Sequence, residues 1–203
     1  MPCGMLLDPL EIPDRCTTCF NLKAPDRPCL LCHRIKIPYR AIGAVFDYDG
    51  PASSLIKQLK YGNLDYLASP MGAYMTTQFI ELNWPLPDLI VPVPIAAPHL
   101  ISRGFNQSQL LAQTISTLLQ RPLMLCLGRY AGNYSQAGLN REQRMETKKN
   151  TITLLTKEQV KNQTILLIDD VMTTGNTLRN CAKVLQQGSP KEVFVLTFCK
   201  AKT

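Results

Sequence analysis

A chain of 203 residues, 45% of them hydrophobic, can bury one sizeable core and carry a small appendage besides. It has no apolar run near the roughly 18–20 residues of a membrane-spanning helix. Its opening stretch, MPCGMLLDPLEIPDRC, holds Asp8, Glu11 and Asp14 and no basic segment, which argues against a secretory signal and predicts a cytoplasmic protein. The formal charge is +7 and unevenly spread, with nine basic and three acidic residues between Leu100 and Lys161; this fits a polyanionic partner or a solvated basic surface.

The first element in chain order is a cysteine pattern. Cys16-x2-Cys19 and Cys29-x2-Cys32 flank a turn-rich stretch containing Asn21, Pro25, Asp26 and Pro28. Each pair can set two thiolates on one side of a tight turn, and two such turns complete a tetrahedral zinc site. Without a signal peptide, metal is favoured over disulfides. Residues 1–38 therefore read as a small zinc module whose folding depends on the ion, and 39–203 as the main domain. Cys3 is a candidate extra ligand, although Leu6 at its C-x2-C position argues against a second site, and His33 reads as a bystander.

Ile42–Asp49 reads as the first strand of the main domain, followed by a turn and a helix capped by Ser53 or Ser54 that ends at Tyr61-Gly62. Lys57 and Lys60 lie on it. Asp65–Asn83 reads as an amphipathic helix with Met71, Tyr74, Met75 and Phe79 inward, and Trp84 as a packing residue at a domain seam. Asp88–Val93 is a buried strand with an unusual internal proline, Pro92. A stiff loop through Pro94, Pro98 and Arg103-Gly104-Phe105-Asn106-Gln107 feeds a helix capped by Asn106 or Ser108, with Leu110, Leu111, Ile115, Leu118 and Leu119 as its apolar stripe. Leu123–Leu127 reads as a short strand. Arg129–Asn150 is long and polar, either a functional loop or a plain basic helix.

The most informative stretch is Thr164–Thr177, TILLIDDVMTTGNT. Ile165–Ile168 suits a strand buried on both faces. Asp169 and Asp170 follow at its carboxyl end, where open α/β sheets place ligands. Thr173, Thr174, Gly175, Asn176 and Thr177 then form a hydroxyl-rich turn into a helix whose Leu178, Cys181, Ala182 and Leu185 share one face. The free N–H groups of a helix start favour phosphate, and the paired carboxylates suit ribose hydroxyls or Mg²⁺. No GxxxxGK[ST] or GxGxxG occurs, so this is neither a P-loop nor a Rossmann fingerprint. Lys191–Cys199 reads as a last strand.

The stretch resembles the phosphoribosyl-diphosphate (PRPP) motif of type I phosphoribosyltransferases. Taken with Leu59-Lys60-Tyr61, Pro92–Pro94, Arg103–Gln107, Ser135–Arg144 and the cysteine pairs, the chain resembles the ComF family over almost its whole length. The resemblance implies an α/β type I phosphoribosyltransferase fold with a central, mostly parallel sheet behind the four-cysteine zinc module. It implies that Asp169 and Asp170 contact ribose, that residues 173–177 hold the 5′-phosphate, that Arg103 and Gly104 face pyrophosphate with Mg²⁺, and that Arg129–Asn150, with Arg141, Arg144, Lys148 and Lys149, closes over it. It also implies a part in natural transformation: binding incoming single-stranded DNA in the cytoplasm, alongside other competence proteins at the inner membrane. An active phosphoribosyltransferase with an unidentified acceptor is the alternative.

Overall fold

The computed structural model describes residues 7–23, 27–29, 32, 37–130 and 151–202. Cys3, His33, Pro25, Asp26 and the segment 131–150, with Arg141, Arg144, Lys148 and Lys149, lie outside the described residues.

Among the described residues four strands form the central sheet: β1 (Ala41–Asp47), β2 (Leu89–Pro92), β5 (Thr164–Met172) and β6 (Glu192–Lys200). Their order is β1-β6-β5-β2 and every pairing is parallel. β5 shows why the apolar run had to be a central strand: Leu166 and Ile168 join the cluster on one face and Ile165 and Leu167 the cluster on the other. β6 alternates in the same way, with Phe194, Leu196 and Phe198 opposed to Val193 and Val195. The result is an α/β core with a parallel sheet, the arrangement that the resemblance implies. No helix among the described residues is long and apolar enough to cross a membrane.

Helices α1 (Gly50–Tyr61), α2 (Ala68–Glu81) and α4 (Gln107–Leu119) cover one face through Ile56, Leu59, Met71, Met75, Phe79, Leu111 and Ile115. Helix α5 (Asn176–Gln186) covers the other through Leu178, Cys181, Ala182 and Leu185, the face expected from their spacing. Helices α2 and α4 approach closely at Gly72, where a Cβ would lie 2.6 Å from the Cβ of Thr114. Gly72→Val is therefore expected to lower stability by about 1–3 kcal/mol through overpacking, measured as a shifted urea midpoint at unchanged slope.

Several expectations are corrected. α1 starts at Gly50, with Pro51 in its first turn, because proline presets the helical φ and needs no N–H there. Ser53 and Ser54 instead bond back to the Gly50 carbonyl from inside the helix. The predicted 65–83 helix is a 3₁₀ turn, Asp65–Leu67, followed by α2. Tyr74 sits at the rim, 42% exposed, with its ring edge against Phe46, and Leu118 is likewise exposed. The loop before α4 contains a short helix, α3 (Ala97–Arg103), again with proline at its start. Leu123 makes only an isolated bridge to Ile90. The strand begins instead at β3 (Leu127–Tyr130), paired antiparallel with β4 (Thr151–Leu154). Pro92 is accommodated because β2 is the last strand of the sheet and Pro92 is its final residue.

The N-terminal segment lies against the opposite edge. Leu10 N–H donates to the Val45 carbonyl and Ile42 N–H to the Thr18 carbonyl, which partly covers the open side of β1. Phe20 and Tyr39 are buried in the same cluster as α5. Trp84 packs against Phe79 and Phe194 and shares a cavity of about 380 Å³ with Ile12, Arg15 and Phe20.

Candidate functional site

The carboxyl ends of the parallel strands open into a cleft of about 300 Å³. Its wall includes Asp169, Asp170, Thr173, Thr177 and Arg103, all singled out from the sequence, with Tyr48, Lys60, His99, Gln107, Ser108 and Arg129 beside them. Three basic side chains, Arg103, Lys60 and Arg129, thus face two carboxylates, so the cleft suits a ligand that is both hydroxylated and anionic.

Asp169 and Asp170 end the buried part of β5 and are themselves buried, 8% and 6% exposed. Asp169 Oδ1 accepts from Ser108 Oγ at 2.8 Å and from the Asp170 N–H at 3.0 Å. Asp170 Oδ2 pairs with Lys60 Nζ at 2.5 Å. Burial, followed by the neighbouring Asp170 charge, pushes the Asp169 carboxyl up to about 7; Ser108, the Asp170 N–H and Lys60 oppose the rise. A carboxyl raised in this way in a cleft marks a candidate site.

Asn106 caps α4. Its Oδ1 accepts from Ser108 N–H at 3.1 Å, and its Nδ2 donates to the Val93 carbonyl at 3.0 Å. The cap thus fastens the start of α4 to the exit of β2 and aims Ser108 at Asp169. Arg103 lies over the Tyr61 ring, 5.1 Å from its centroid, and donates to Gln107 Oε1 at 3.1 Å and to the Tyr61 hydroxyl at 3.4 Å. Gly104 closes α3 at φ +79 and adds nothing to the cleft wall.

The turn before α5 divides its labour. Thr173 and Thr177 line the cleft. Gly175 is the N-cap at φ +71, a conformation that glycine adopts without strain. Thr174 and Asn176 are held from outside: Arg179 Nη2 donates to the Thr174 carbonyl at 2.7 Å and to Asn176 Oδ1 at 2.8 Å. Sequence reasoning did not assign Lys60, Ser108, Gln107 or Arg179 these parts, since each depends on a contact that no local pattern announces.

A second cluster shares no lining residue with the cleft. The Sγ atoms of Cys16, Cys19, Cys29 and Cys32 all lie within 4.8 Å of one another, with Cys16–Cys32 at 3.7 Å and Cys19–Cys29 at 3.4 Å. These separations are far beyond a disulfide bond. They are compatible with zinc, whose tetrahedral bonds of about 2.3 Å set sulfurs roughly 3.8 Å apart. Burial pushes the Cys19 thiol up to about 11 and raises Cys32 further, so a cation here would have to displace protons.

Comparison with known proteins agrees with this geometry. The model of the phosphoribosyl transferase domain matches residues 111–203. The "DNA utilization protein YhgH" of Escherichia coli strain K12 is 30% identical over 178 residues, 85% of this chain and 78% of that protein. The "Competence protein F" of Haemophilus influenzae is 31% identical over 160 residues, 76% of this chain and 70% of its own. The "Competence protein ComFC" of Bacillus subtilis is 24% identical, covering 78% and 63%. At this identity and over most of its length, with a phosphoribosyl transferase domain in its second half, the chain belongs to the ComF family of phosphoribosyltransferase-like proteins.

Proposed function

We propose that the cleft binds phosphoribosyl diphosphate with Mg²⁺, and that the protein works as a competence factor on single-stranded DNA, its four-cysteine cluster holding zinc. One observation carries the first part: two buried carboxylates and the helix-start threonines line one cleft with Arg103, Lys60 and Arg129. In this reading Asp169 and Asp170 take the ribose hydroxyls, while Thr173, Thr177 and the free N–H groups opening α5 take the 5′-phosphate. Arg103 takes the diphosphate, and Mg²⁺ bound with it would offset charge that the three cations leave unneutralised. Lys60 is paired with Asp170; an entering diphosphate competes for it and frees Asp170 for the sugar. The names of the relatives, with the surplus of basic residues between Leu100 and Lys161, support the DNA-directed role.

Titration calorimetry with phosphoribosyl diphosphate and Mg²⁺, run with and without an oligodeoxynucleotide, tests both parts. Saturable binding of each is expected. The DNA affinity should fall steeply with salt, by about tenfold or more between 50 and 200 mM, as phosphate contacts release counterions. A DNA affinity indifferent to salt would remove the basic surface as its contact. Absence of phosphoribosyl diphosphate binding would remove the phosphoribosyl reading.

A further inference from the structure

Arg129 and Gln107 both line the cleft and each has a buried side-chain nitrogen without a hydrogen-bond partner among the described residues, and of the two the buried side chain is Gln107. It is 3% exposed, and the nitrogen in question is its Nε2. The orientation of its carboxamide follows from chemistry. Arg103 is a donor only, so the atom 3.1 Å from its Nη1 must be the amide oxygen. The N–H₂ group is therefore turned away from Arg103 and is itself covered, in a side chain that lines the cleft, so that a ligand oxygen meets it only once the carboxamide shifts toward the opening. A buried amide without an acceptor is costly and is retained where something else supplies one.

We propose that Gln107 is a ligand-contacting residue, donating its side-chain N–H₂ to a diphosphate oxygen of phosphoribosyl diphosphate and so favouring a diphosphate over a monophosphate ligand. This rests on the phosphoribosyl reading above. The assignment to the diphosphate end follows from the partners. Arg103 holds the Gln107 oxygen, and Tyr61 holds Arg103 by a stacked ring and a 3.4 Å bond. The carboxamide oxygen is thus tied to the cation that this reading assigns to the diphosphate. Asp169 and Asp170, the groups facing the sugar, are engaged by Ser108 and Lys60 instead.

The test compares the wild type with Gln107→Met, titrated with phosphoribosyl diphosphate–Mg²⁺ and separately with ribose 5-phosphate. The variant is expected to bind the diphosphate about tenfold more weakly and ribose 5-phosphate within about twofold. Its melting temperature should be equal or higher, because an unpartnered buried amide is gone. A residue that only positioned Arg103 would be silent once Arg103 is removed, so Gln107→Met should weaken binding further in an Arg103→Met background. Should Gln107→Met fold poorly, Gln107→Leu removes the same donor without adding a charge, and the same loss is expected of it. Unchanged diphosphate affinity in a variant of a wild type that does bind overturns this inference alone. So does silence in the Arg103→Met background, or a loss of affinity matched by a fall in melting temperature. Failure of the wild type to bind either ligand overturns the underlying reading instead.

Discussion

Asp169→Asn is expected to bind phosphoribosyl diphosphate–Mg²⁺ about a hundredfold more weakly, ~2.7 kcal/mol, and yet to be the more stable protein at pH 8. The two effects share one cause. Asp169 is buried beside Asp170, and its carboxyl titrates near 7, whereas in an unfolded chain an aspartate releases its proton near pH 4. Between those values the native state holds more protons than the unfolded state. Stability therefore falls as pH rises from about 4 to about 7 and stays low above that window. Asparagine carries no charge at any pH, so the variant loses this slope. It should gain of order 1–3 kcal/mol over the wild type at pH 8 and little at pH 4, read from urea midpoints at the two pH values. The amide can still meet Ser108, because a hydroxyl both donates and accepts. It cannot accept two sugar hydroxyls as a carboxylate does, so the binding loss stands. Stability given up to keep a charge in a cleft is the signature of a ligand site. A variant that keeps wild-type affinity would show that Asp169 has no ligand. A variant less stable at pH 8 would show that its charge is structural.

How much of this was legible in the sequence depends on the range of the interaction that decides it. β5 and α5 were readable residue by residue, because a short buried run and a helical face are local patterns that packing only confirms. The side of α2 was readable too, but not how far the buried stripe extends, and Tyr74 lies at its exposed edge. The start of α1 went to Pro51 rather than a serine, since a fixed φ outweighs a cap whose hydroxyl can bond within the helix. The site divides in the same way. The acids and threonines form one continuous stretch and stood out. Lys60 reaches Asp170 from another helix, and Ser108 reaches Asp169 across 61 positions; such partners are set by the topology β1-β6-β5-β2, which no single window of sequence contains. Gln107 was visible only as the last letter of a motif. Its unsatisfied amide is a property of the folded cleft.

If the four cysteines hold zinc as proposed, chelating it, or replacing Cys19 with serine, is expected to loosen the N-terminal segment and the β1 edge together while leaving the cleft intact. Cys16 and Cys19 bracket a turn whose next residue, Phe20, is 2% exposed and packed in the cluster beneath α5. Between the two cysteines, the Thr18 carbonyl accepts the Ile42 N–H of β1. A zinc ion on the four sulfurs, as proposed above, would therefore fix the segment that covers the edge strand. If serine weakens zinc a thousandfold, a protein saturated with zinc loses ~4 kcal/mol of linked stability. A metallochromic dye should report about one zinc per wild-type chain and its ready release from Cys19→Ser. Hydrogen exchange then separates local from global loosening. The Ile42 amide should lose protection on chelation, whereas the amides joining β5 to β6 around Leu167 and Val195 should keep theirs. Because the cluster and the cleft share no lining residue, affinity for phosphoribosyl diphosphate should stay within about twofold while the sheet holds. The uncovered β1 edge would offer unpaired backbone groups to a second chain, so aggregation should follow chelation at high protein concentration. Undiminished Ile42 protection in metal-free protein would mean that Phe20 and the backbone bonds hold the segment unaided, and the four cysteines would lose their structural role.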